Sequence, residues 1–126
     1  MSQRIGTMIP VMAVMALLWA CGPDTILVRP GLDTPAQHVA NGKKLLERGK
    51  IQPAYQEFMR AKELDPNYAA LYVGLGLVQG HQGDLAAGLE SMAHAREIAK
   101  TEEELEWIEE GYRQLYDMFE KIPNNP

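Results

Sequence analysis

At 126 residues, 46% apolar and 23% charged, the chain has room for one folded domain at most and a composition that argues against a disordered polymer. Its formal net charge is −5 and it carries no basic cluster able to follow a phosphate backbone, which argues against nucleic acid as a partner. One cysteine, Cys21, leaves no intramolecular disulfide to form.

Arg4 supplies a short positive start, and Ile9 to Ala20 is an apolar run interrupted only by Pro10. A bilayer core needs about 20 helical residues, so this run is too short to span one. It has the length of the apolar region of an export signal, and residues 1–20 are expected to be a signal peptide. The run ends in Leu18-Trp19-Ala20-Cys21-Gly22. That string resembles the lipobox of bacterial lipoproteins, with Leu at −3, a small residue at −1 and Cys at +1; Trp19 is larger than the pattern's usual residue at −2. The resemblance implies cleavage before Cys21 and lipidation of its thiol and new amine. Each buried methylene of such an anchor contributes about 0.8 kcal/mol. Gly22, in place of Asp, resembles the class sorted to the outer membrane, which implies a periplasm-facing, lipid-anchored protein of a Gram-negative bacterium. The alternative is an ordinary signal with a free cysteine beside it. Residues 21–34 hold Pro23, Pro30 and two glycines, follow no helical or alternating period, and read as a tether.

Helix signals begin at Thr34-Pro35-Ala36-Gln37, an N-cap with proline at the first position and a capping-box Gln. Gly49 predicts the stop of this first helix. Pro53 is expected to open a second helix running to Leu64, and Asp65-Pro66-Asn67 to break it. A third helix is expected from near Tyr68 to just before Gly83, and a fourth capped by Asp84. A fifth is announced by the capping box Thr101/Glu104. Leu105, Ile108, Tyr112, Leu115 and Phe119 give this fifth helix an apolar stripe, opposite a side rich in Glu. Residues 101–126 hold eight acids against Arg113 and Lys121, whereas residues 21–100 balance at nine of each sign. The acidity therefore belongs to the C-terminal segment.

A shift of 34 residues superposes Ala36 on Ala70, Val39 on Val73, Gly42 on Gly76, Gly49 on Gly83, Ala61 on Ala95 and Leu64 on Ile98. Small residues fall on small and apolar on apolar, as a duplicated helical hairpin requires. This pattern resembles the tetratricopeptide repeat (TPR), with repeat 1 over 35–68, repeat 2 over 69–102, and 103–126 as a capping helix and tail. The resemblance implies an all-α fold: two hairpins and a cap in a short right-handed solenoid. The chain departs from the family pattern at His38 and Asn41, where a large aromatic and Leu are usual, at Gly88, where Ala is usual, and at Lys100, in place of the exit proline. Gly42 and Gly76 are expected where two helices nearly touch.

The family's binding surface is the groove lined by the first helix of each hairpin. Here that implies Val39, Lys43 and Leu46 from repeat 1, Val73, Leu77 and His81 from repeat 2, and, from the fifth helix, Trp107 in strict 34-residue register or Ile108 if one residue is inserted. The basic clamp with which some family members grip a C-terminal carboxylate is missing, since Lys43 alone is basic at the matching positions. Such a groove favours an apolar or amphipathic peptide; alternatively these aliphatics pack beneath their neighbours. His38, His81 and His94 lack the spacing of helical metal ligands, the acidic run 102–110 reads as a solvated helix face, and no nucleophile–base pair or phosphate loop is present. No catalytic, metal or cofactor role is expected. The expectation is a membrane-tethered adapter for a protein or peptide partner, in envelope, pilus or secretion machinery assembly. A structural subunit of a larger envelope complex and a regulator of a cell-wall enzyme are the alternatives.

Overall fold

The computed structural model describes residues 33–121, which form five α-helices and, among the described residues, no strand. They are α1 (Pro35–Glu47), α2 (Ile51–Leu64), α3 (Ala69–His81), α4 (Leu85–Ile98) and α5 (Glu102–Glu120). The chain is all-α. The expected signal peptide, tether and Cys21 lie outside the described residues, apart from Asp33 and Thr34.

Local chemistry sets the helix ends. The Thr34 hydroxyl accepts from the Gln37 amide, and the Gln37 side chain donates to Asn41 rather than back to the cap, so only half of the expected capping box forms. Asp84 caps α4 through the Ala87 amide, and Thr101 and Glu104 cap α5 reciprocally. Gly49 and Gly83 are the described residues with positive φ, 71° and 86°. After each of them the chain closes the same pair of bonds: Gly49 N–H to Leu46 O with Lys50 N–H to Leu45 O, and Gly83 N–H to Gly80 O with Asp84 N–H to Gln79 O. A left-handed residue is needed there, and glycine takes that conformation without a Cβ clash. α2 begins at Ile51, two residues ahead of Pro53. A proline in the first turn removes an N–H that has no partner within the helix, so Pro53 is tolerated inside α2 rather than marking its start.

Consecutive helices pack pairwise, and α3 also packs on α1 and α5. α3 therefore lies at the centre, with all but Gln79 and His81 of its residues buried. Packing turns on large side chains set against glycines. The Phe58 ring of α2 fits between Gly42 and Gly74; a methyl group at Gly42 would lie 2.5 Å from Phe58 Cε1. Thirty-four residues after Phe58, Met92 of α4 fits between Gly76 and Gly111, and Leu115 of α5 between Gly80 and Gly88. The expected close crossing at Gly76 is a backbone approach to Gly88, whose carbonyl would stand 3.0 Å from a methyl at residue 76. At Gly42, Gly74 and Gly80 even a methyl group would come within 2.5 Å of a core side chain, so a larger residue there overpacks the core.

Candidate protein-interaction surface

α1, α3 and α5 converge on one shallow cleft of about 150 Å³, lined by Lys43, Leu46, Glu47, Leu77, His81, Trp107, Gln114 and Met118. Leu46, Leu77 and Met118 supply apolar surface, with Lys43, Glu47, His81 and Gln114 as its polar lining. The Lys43 ammonium stands 4.2 Å from the centroid of the Trp107 ring, within reach of the ring's negative face. This contact joins the first helix of the described chain to the last.

Of the seven residues expected to line a groove, five meet here: Lys43, Leu46, Leu77, His81 and Trp107. Val39 and Val73 do not. They are core residues, 5% and 0% exposed. Val73 is closed over by α5, since its Cγ1 would be 2.7 Å from a methyl at Gly111. For these two valines the packing alternative describes the structure. Leu77, 5% exposed, contributes only an edge to the cleft. Glu47, Gln114 and Met118 were not anticipated. Gln114 and Met118 follow Trp107 at spacings of seven and eleven, a helical signal present in the sequence. A 34-residue equivalence puts Gln114 opposite the buried Gly80 and Met118 opposite Asp84, beyond the end of α3, so it points to neither.

A second polar grouping occupies the outer edge of α1 and α2. His38 Nε2 is 2.8 Å from Asp33 Oδ1 and His38 Nδ1 is 2.7 Å from Glu57 Oε2. Both ring nitrogens face carboxylates, the arrangement that suits an imidazolium with two N–H donors. Asn41 donates to Glu57, and Arg60 donates to Asp33 Oδ2 at 2.6 Å and to Glu63 Oε2 at 3.0 Å. Burial pulls the His38 pKa down, but the hydrogen bonds to Asp33 and Glu57 outweigh it and the net shift is upward. Arg60, then His38, holds the Asp33 carboxyl down at about 2. Thus His38 and Asn41, two of the four departures from the expected repeat pattern, belong to one charged network.

Among the described residues, no group of three or more His, Cys, Asp or Glu side chains is placed to hold a metal ion. Among the same residues no helix is long and apolar enough to cross a membrane. Comparison with protein-family models, curated proteins and solved structures found no match to this chain. Its own residues therefore carry the functional reading.

The cleft's size decides what kind of ligand suits it. Small-molecule pockets run to roughly 300–1,000 Å³ and enclose most of the ligand. At about 150 Å³ and open to solvent, the cleft lies below that range.

Proposed function

We propose that the chain is a lipid-anchored adapter at the periplasmic face of the outer membrane, made of two TPR hairpins and a capping helix. It binds an apolar or amphipathic segment of a partner protein across α1, α3 and α5, in assembly of envelope, pilus or secretion machinery, and catalyses no reaction. The observation that carries this reading is the convergence of helices one repeat apart on a single cleft, with Lys43 set over Trp107. Three further features support the repeat assignment. Gly49 and Gly83 close equivalent turns, Phe58 and Met92 pack against the equivalent glycines Gly42 and Gly76, and α1, α3 and α5 stack side by side. The lipobox-like string ending at Cys21 supports the anchor.

Two measurements test the reading. A photo-crosslinking residue at Leu46 or at Met118 should trap the same polypeptide in intact cells, and one at the exposed Glu90 of α4 should not. Trapping at all three sites alike would remove the cleft from the account. Cys21→Ser should release the protein from the detergent-extracted membrane fraction, and an unmodified Cys21 thiol in the mass spectrum of the native protein would refute the anchor.

A further inference from the structure

The sequence stripe on α5 is split by the structure. Ile108 and Leu115 are fully buried and Tyr112 and Phe119 are partly buried against the core, but Leu105 is 42% exposed and the neighbouring Tyr116 51%. The cause is the rotation of α5 about its axis. Gly111, not Tyr112, sits at the centre of its packed face, because only a glycine accommodates both Val73 and Met92 there. At 3.6 residues per turn, Leu105, Tyr112, Tyr116 and Phe119 then share one edge, pointing away from the side that bears Trp107 and the cleft. Leu105 and Tyr116 stand eleven residues apart, about 16 Å along the helix, or three turns. An apolar edge of this length left half-open on a small helical unit marks a contact surface.

The charge beside this edge identifies what covers it. Glu102, Glu106 and Glu120 follow on its solvent side by helical spacing, and none of them forms a salt bridge among the described residues. The nearby cations are already engaged: Arg96 lies over the Tyr112 ring at 5.9 Å and pairs with Glu109, and Arg113 pairs with Glu110 and Asp117. We infer that the outer edge of α5 is a second docking surface, whose occupant is an amphipathic helix of about three turns with its apolar face flanked by Lys and Arg. A second copy of the chain is a poor occupant. In a two-fold pairing of α5 against α5, the net −6 of residues 101–126 would face itself. The two surfaces lie on opposite sides of α5, so the unit joins one polypeptide at the cleft to another at this edge.

The test uses the full chain and a labelled synthetic Leu/Lys amphipathic peptide of about fourteen residues, four helical turns, with a Leu/Glu peptide of the same pattern. Fluorescence anisotropy should show binding of the Leu/Lys peptide only, weakening as salt is raised. Leu105→Ser combined with Tyr116→Ser should weaken it at least about tenfold. Lys43→Ala combined with Glu47→Ala, two polar residues of the cleft, should leave it unchanged. Should the first pair fail to fold by circular dichroism, Glu102→Lys with Glu106→Lys touches no core residue and should turn the preference toward the Leu/Glu peptide. Equal binding of both peptides, or loss of binding in the cleft variant alone, overturns the inference. Self-association of the unmodified chain that Leu105→Ser and Tyr116→Ser abolish would assign the edge to a second copy and overturn it as well.

Discussion

The two hairpins place different chemistry at the same four positions. In the first, His38, Asn41, Glu57 and Arg60 form a charged network with Asp33. Thirty-four residues on, the same positions hold Tyr72, Leu75, Ser91 and His94. There Tyr72 and His94 meet edge to face with ring centroids 4.4 Å apart, and Tyr72 and Leu75 are 9% and 8% exposed. Position in the array explains the difference. The α3 edge is covered by α2, whose Lys62 reaches over the Tyr72 ring, while no helix precedes α1 among the described residues. A covered edge takes rings and aliphatics. An edge open to water can keep charges, which stay hydrated while they pair.

This contrast between a central and a terminal hairpin can be broken by substitution. The largest effect is expected for Val73→Asp, which buries a carboxylate without a partner against Gly111. The cost of several kcal/mol is comparable with the whole stability of a small domain, about 5–15 kcal/mol, so the far-ultraviolet helical signal should be lost. Val39→Asp, at the equivalent position of the outer helix, lies one turn from Lys43 and nearer to water, and should destabilise far less. Equal losses from both would erase the distinction.

Next in size is a pair of glycine changes. Gly42→Ala would drive a methyl to 2.5 Å from the buried Phe58 ring, and even after the helix-propensity gain it should cost about 1–2 kcal/mol in denaturant unfolding. Gly76→Ala meets Gly88 O and the mobile end of Met92 at 3.0 Å, so strain and propensity nearly cancel and the change should stay within about 1 kcal/mol of zero.

A smaller, pH-dependent effect belongs to His38. Because folding raises the His38 pKa above 6.5, protonation of this side chain contributes stability that is fully present below that pH and is lost as pH rises through the folded value. His38→Gln should therefore lower the melting temperature at pH 5.5 more than at pH 8.5. Should the loss be the same at both, His38 is not held as an imidazolium. The smallest effect belongs to Lys43→Ala, which removes a surface charge and should shift stability by less than about 0.5 kcal/mol.

Much of the fold was legible because helix ends are decided by neighbours in the chain. Thr34, Gly49, Asp84 and the Thr101/Glu104 box mark the ends where sequence reading put them. Pro53 misled, since a first-turn proline is compatible with a helix that has already begun. What local signals do not encode is the rotation of each helix about its axis. For α5 that rotation depends on Gly111 meeting Val73 and Met92 from two other helices. The same tertiary contact buries Val73, thins the expected groove to a five-residue agreement at the cleft, and turns Leu105 and Tyr116 outward.

The clasp at Asp33 also has a mechanical consequence. A pull on the chain ahead of residue 33 reaches Asp33 before it reaches the Thr34 cap, and Asp33 is tied to Arg60 of α2 as well as to His38 of α1. Tension entering from that side is thus shared by two helices, instead of peeling the first turn of α1 open one bond at a time. Because the Asp33 carboxyl stays ionised down to about pH 2, ordinary acidification leaves this strain relief fastened.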